Sequence, residues 1–75
     1  MLLDKQADVN IQTIGGDTPL LTACHNGHKD VVKMLLDKQA DVNIQNVRGT
    51  TPLCIAIHKG HEEISELLRQ YGGAM

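Results

Sequence analysis

Aromatic side chains are almost missing from this sequence, because its 75 residues include no Trp, no Phe and a single Tyr, Tyr71. A core without large rings has to be built from Leu, Val, Ile, Ala and Met. Such side chains suit closely packed helices and argue against an aromatic-cored sandwich or barrel. A chain of this length also forms only one small unit, which buries ~60% of the surface that its unfolded form exposes.

The sequence also has no strong excess of positive or negative charge and no long apolar segment. The formal net charge is −2, and the seven Lys and Arg residues are scattered rather than gathered into a basic stripe. Nucleic-acid binding therefore has little support. No apolar run could span a bilayer, and the first residues lack the charged start and long apolar stretch of a signal peptide. We expect no nucleic-acid or membrane partner and an intracellular, cytoplasmic location.

A 33-residue repeat organises the chain. Residues 1–12 recur without change as residues 34–45, which fixes the offset at 33. Further matches follow in the same register: Gly16 with Gly49, residues 18–20 with 51–53, Ala23 with Ala56, His25 with His58, and residues 27–28 with 60–61. Self-similarity at this period is the signature of an array whose units bury their apolar faces only by stacking on neighbours.

Each copy of the repeat carries the signals of two helices. The Thr-Pro pairs at residues 18–19 and 51–52 place a good N-cap before a proline at the first helical position, where a missing N–H costs nothing. Gly27 and Gly60 end these helices because glycine readily adopts a positive φ. An apolar stripe predicts a second helix in each copy, formed by Val31, Val32, Leu35 and Leu36 and by Ile64, Leu67 and Leu68.

The segment between the two copies completes a recognisable pattern. Residues 41–45 are followed by the turn formers Asn46 and Gly49, which predict a projecting turn. The 33-residue unit, the Thr-Pro-Leu start, the Gly-His between helices and the Ala-Asp-Val-Asn after them together resemble the ankyrin repeat over essentially the whole chain. The resemblance implies an all-α fold, an α-solenoid of helix-turn-helix repeats with projecting β-turn loops. It also implies binding of another protein rather than catalysis.

The resemblance divides the chain into three parts. Residues 1–12 are the end of a partial repeat, residues 13–45 a full repeat, and residues 46–75 a near-complete repeat with capping character. At least three repeats are usual in a stable array, and Leu2 and Leu3 fall in a helix whose partner helix is missing. We expect a fragment of a longer array or self-association through that uncapped helix. The alternative function is structural, as a spacer or a self-assembling repeat fragment with no partner of its own.

Two of the departures from the family pattern bear on stability. The histidine that normally follows Thr-Pro-Leu is replaced by Leu21 and Cys54. Since that histidine joins neighbouring turns in the family, the resemblance implies that the turns here are less firmly tied. The glycine that normally precedes Ala-Asp is replaced by Gln6 and Gln39. That position ends a helix, so the loss of glycine costs a few tenths to ~1 kcal/mol at each site.

The resemblance places partner binding on the concave face, which the turns and first helices line. The turn tips differ between the copies, and the apolar tips Ile14 and Val47 invite burial by a partner, although ordinary loop variation would give the same pattern. The predicted contact residues are Ile14, Gly15, Asp17, His25 and Asn26 in one repeat and Val47, Arg48, Thr50, His58 and Lys59 in the next.

Clustered cysteines and histidines raise two chemical alternatives. The groups that suggest zinc are Cys24, His25 and His28, and Cys54, His58 and His61. A duplicated site should duplicate its ligands, yet Cys24 aligns with Ile57 and Cys54 with Leu21. Cys54 and His58 lie four residues apart on one helix, but nothing indicates an oxyanion hole or substrate pocket beside them. We expect no metal, no cofactor, no catalytic residue and no disulfide framework, with Cys54 as a small, inert buried thiol.

Asn10 and Asn43 each end an Ala-Asp-Val-Asn segment with a leucine eight residues earlier, Leu2 and Leu35. These residues look like the ankyrin asparagine that a cellular asparaginyl hydroxylase can modify, so both are candidate hydroxylation sites. The alternative, which we favour, is a turn residue that bonds to its own backbone.

Overall fold

The chain forms two stacked helix pairs in a computed structural model that describes residues 9–73. The helices are α1 (Pro19–Asn26), α2 (Lys29–Asp37), α3 (Pro52–His58) and α4 (Glu62–Gln70). Each pair packs within itself, α1 lies against α3, and α2 lies against α4, so the first helices form one layer and the second helices another. Residues 9–73 contain no strand. This architecture is the α-solenoid that the sequence predicts.

Some expectations lie outside the described residues. They concern the helix of Leu2 and Leu3 and the helix end at Gln6. Within residues 9–73, no helix has the length and apolar character that crossing a lipid bilayer requires.

The threonine caps start the first helices as predicted. The Oγ1 atoms of Thr18 and Thr51 accept hydrogen bonds from the backbone N–H groups of Leu21 and Cys54 at 3.2 and 3.1 Å. Both threonines are buried. Each hydroxyl therefore gives a hydrogen-bond partner to a backbone N–H at the start of a helix, where no backbone carbonyl is available. Gly27 then ends α1 with a φ of 74°.

The core lies between the two helix pairs. Its buried members are Leu20, Ala23, Cys24, Val32, Leu36, Ala40 and Val42 from the first pair and its loop, and Leu53, Ala56, Ile64 and Leu68 from the second pair. Equivalent positions differ in burial, since Ile64 is 3% exposed whereas Val31, 33 residues earlier, is 40% exposed. Ile64 faces the first pair, but Val31 faces a side where no helix of the described residues packs. The predicted stripe on α2 is therefore only partly buried.

Two hydrogen bonds join the neighbouring turns directly. The backbone N–H of Val47 donates to the carbonyl oxygen of Gly15 at 3.0 Å. The side-chain Nδ2 of Asn46 donates to Oδ1 of Asp17 at 3.1 Å. The turns are thus linked, although both copies lack the histidine that the resemblance led us to expect as their tie.

The end of α2 shows the cost of a missing glycine. Gln39 has a φ of 67° and is the one non-glycine residue with a positive φ among residues 9–73. The equivalent position in the second repeat is Gly72, with a φ of 87°. The backbone there must turn left-handed so that the N–H of Ala40 can donate to Leu35 O at 3.0 Å. A side chain at Gln39 is therefore strained, as the sequence predicts.

Replacing Gln39 by glycine should raise the free energy of unfolding by about 0.5–1 kcal/mol, because glycine adopts this φ without a Cβ penalty. The melting temperature should then rise by roughly 2–8 °C in a domain of this size. Lys38→Gly is the matched control, because Lys38 has an ordinary φ of −91° and should lose stability on the same change. Thermal unfolding followed by circular dichroism measures both, and an unchanged or lower melting temperature for Gln39→Gly would contradict the strain.

Candidate protein-binding groove

A groove with a volume of about 400 Å³ runs between the projecting turns and the layer of first helices. We call it the concave groove. Seven of the predicted contact residues line it: Gly15, Asp17, His25, Asn26, Val47, Arg48 and Thr50. The fold thus brings together predicted residues that lie up to 35 positions apart in the sequence (from Gly15 to Thr50).

Four lining residues were not predicted: Leu21, Thr22, Asn46 and Ile55. Thr22 and Ile55 occupy the same repeat position, 33 residues apart, and differ between the copies. Thr22 also lies four residues before Asn26, so both share one face of α1. The helical spacing and the difference between copies could have identified this pair. Asn46 was recognised as a turn former, but its place in the groove depends on the fold.

Three predicted residues stand outside the concave groove. Ile14 is fully exposed at the tip of the first turn, and Val47 of the second turn is 75% exposed. We call Ile14 and Val47 the apolar tips. His58 and Lys59 are exposed at the end of α3. Of the two apolar tips, Val47 lines the groove and Ile14 does not.

Some polar side chains of the groove already have partners within the chain, and others are available to a ligand. Oδ1 of Asp17 accepts from Asn46, so this carboxylate also holds the turns together. The Oδ1 of Asn46 accepts from the backbone N–H groups of Arg48 and Thr50 at 2.8 and 3.0 Å, which fixes the backbone of the turn. In the part of the chain that the structure describes, the side chain of Arg48 has no carboxylate within ion-pairing distance. An ion pair does form on the second helices, where Nζ of Lys29 lies 3.3 Å from Oε1 of Glu63.

The two thiols differ in environment. Cys24 is fully buried, and its desolvation raises the pKa of the thiol to about 12. The thiol of Cys24 is consequently neutral over the physiological range, which is the state of an inert core residue rather than a nucleophile. Cys54 is partly exposed, so its prediction as an inert buried thiol holds only in part. Both are free cysteines.

The histidines that raised the zinc alternative are spread over the stack. Among residues 9–73 there is no group of three or more His, Cys, Asp or Glu side chains that could hold a metal ion. His28 and His61 precede α2 and α4 without a side-chain capping bond. The ring of His61 instead lies against Gly27, where an added Cβ would come within 2.7 Å of Cε1. His61 therefore packs against the neighbouring repeat.

The two candidate hydroxylation residues join one repeat to the next. The Oδ1 of Asn10 accepts from the backbone N–H of Asp41 at 2.8 Å, and Nδ2 of Asn43 donates to the carbonyl oxygen of Gly72 at 3.3 Å. The predicted bonding of these asparagines to their own backbone stays a prediction. Asp41 makes a local bond in this segment, since its Oδ1 accepts from the N–H of Asn43 at 2.9 Å. Hydroxylation of Asn10 or Asn43 stays a prediction.

A second, more apolar cavity of about 680 Å³ opens on the side of α1 that faces away from α3. Pro19, Ala23 and Val31 are among its lining residues, together with Ile11. By the 33-residue offset, Pro19 and Ala23 correspond to residues of α3 that are buried against α1. This is the position where the first helix of a preceding unit would stack, and self-association at this side stays a prediction.

Comparison with known proteins agrees with the helix-pair geometry. The family model described as ankyrin repeats (3 copies) matches residues 1–74. The chain is also similar to the probable E3 ubiquitin-protein ligase XBOS33 of Oryza sativa subsp. japonica, with 50% identity over 34 residues. That match covers 45% of this chain and only 6% of the relative's length. Ankyrin repeats generally act as protein-interaction modules and are typically non-enzymatic. The chain belongs to the ankyrin repeat family.

Proposed function

We propose that this chain binds a partner protein through the concave groove and the two apolar tips. The observation that carries the proposal is the exposure of Ile14 and Val47 on two turns that a backbone hydrogen bond joins, with Val47 lining the groove. Both side chains are too exposed to stabilise the fold, and an apolar surface of this kind becomes favourable when a partner covers it.

The expected contribution of the tips is large enough to measure. Full burial of a side chain the size of Val or Ile is worth about 1.5–3 kcal/mol. Each 1.4 kcal/mol corresponds to about tenfold in Kd, so losing both tips should weaken a complex by at least about tenfold. The groove residues His25, Asn26 and Thr50 would supply the polar contacts that orient the partner.

The test uses a phage-displayed library of random 16-residue peptides, panned against the wild-type chain. Affinities of the enriched peptides are then compared for the double variant Ile14→Ser, Val47→Ser and for the control Met34→Ser. Met34 is a half-exposed apolar residue on α2, away from the groove. We expect the double variant to lose at least about tenfold in affinity and the control to change less than about twofold.

The melting temperature separates binding from folding. Because Ile14 and Val47 bury little surface, the double variant should melt within a few degrees of the wild type. Peptides that bind both variants equally, or the absence of any enriched peptide, would contradict the proposal and favour the structural alternative of a spacer without a partner.

A further inference from the structure

The two layers of the stack carry different charge. The first helices and their turns, residues 13–26 and 46–59, contain the cations Arg48 and Lys59 and the single acid Asp17. The second helices and their loops, residues 27–45 and 60–73, contain four cations and six acids. The concave side is therefore net positive, whereas the opposite side is net negative, although the whole chain has a formal net charge of −2.

Neither cation of the concave side has an ion-pair partner among residues 9–73. Asp17 is half-buried, and its Oδ1 already accepts from Asn46. Among residues 9–73, no carboxylate lies within ion-pairing distance of Arg48 or Lys59. Arg48 lines the groove, whereas Lys59 is exposed outside it at the end of α3.

Apolar surface lies directly beside one of these cations. Val47 precedes Arg48 at the turn, and the half-buried Ile55 lines the same groove. A guanidinium can hold a carboxylate through two parallel N–H···O bonds, and the neighbouring apolar groups exclude water from that contact. The arrangement suits a ligand in which an acidic and an apolar side chain lie close together.

We propose that the concave groove recognises an acidic segment of a partner protein, in which a carboxylate pairs with Arg48 and a nearby apolar side chain covers Val47 and Ile55. This inference rests on the proposed function and adds the chemistry of the partner. A nucleic acid fits less well, because two cations neutralise few phosphates and no aromatic platform accompanies them.

The same peptide selection tests the charge of the ligand. Peptides enriched on the wild-type chain should be more acidic than the unselected library. Their affinity should fall about threefold or more when NaCl is raised from about 50 to about 300 mM, because salt screens exposed charges. Arg48→Glu should weaken these peptides at least about tenfold and shift a new selection towards basic peptides.

Arg69→Glu is the matched control, because it makes the same change of charge on α4, outside the groove. The control should alter affinity by less than about twofold, since the added charge is distant and screened. Equal losses for Arg48→Glu and Arg69→Glu would overturn the inference. Enriched peptides that depend on the apolar tips but are neutral or basic would overturn it as well while leaving the proposed function intact. No enriched peptide at all would contradict both.

Discussion

Replacing Leu68 by alanine should lower the free energy of unfolding by about 2–5 kcal/mol, the usual cost of removing a fully buried leucine side chain and leaving a cavity. Leu68 lies on α4 and is fully buried in the core between the helix pairs. A domain of this size has a total stability of only roughly 4–11 kcal/mol. The variant should therefore unfold at much lower urea concentration, as followed by circular dichroism.

Leu35→Ala is the control for Leu68→Ala. Leu35 is the equivalent residue of the first repeat, but it is only half-buried because it lies on the side of α2 away from α4. The chemical change and the helical position are the same, so the difference between the two variants reports the contact between the repeats. Equal losses of stability would show that the leucines act within their own helix pairs, which would contradict the placement of the core.

Replacing Gly16 by alanine should have a comparable effect through the backbone. Gly16 has a φ of 85°, and an added Cβ would lie 2.7 Å from the backbone N of Val47 and 2.9 Å from Cα of Asn46. The left-handed conformation alone costs an alanine about 1–2 kcal/mol. Since the clash is with backbone, the second turn must move and its bond to Gly15 must lengthen. We expect a total loss of roughly 2–4 kcal/mol, measured by urea unfolding.

The repeat supplies a control for Gly16→Ala as well. Gly49 occupies the equivalent turn position with a φ of 80°, but an added Cβ there meets nothing within 4 Å. Gly49→Ala should thus lose only the conformational part, about 1–2 kcal/mol. If both variants lost the same amount of stability, the close approach of the two turns would not contribute to the free energy of unfolding.

The sequence predicts the helices well because their signals are local. The caps at Thr18 and Thr51 and the strain at Gln39 depend on a few neighbouring residues, and all three are found in the structure. Burial is less predictable, because equivalent residues of the two repeats meet different neighbours. Val31 and Ile64 illustrate this, since only Ile64 has another helix pair on its side among the described residues.

The residues that line the groove could be predicted only in part. The repeat register and the resemblance to ankyrin repeats placed the turns and first helices together, so most lining residues could be named in advance. The contacts between repeats could not be predicted, because they join residues about 30 positions apart. The bond from Asp41 to Asn10 spans 31 residues and that from Asn46 to Asp17 spans 29. No local pattern specifies such partners.

The shared core makes the two helix pairs thermodynamically inseparable. Its apolar side chains come from both pairs, so neither pair can open without exposing the half of the core that the other contributes. In arrays of this kind the contact between neighbours, rather than the single unit, supplies the net stabilisation. Amide protons in α1 and α3 should therefore exchange with solvent through one cooperative opening rather than as two independent foldons.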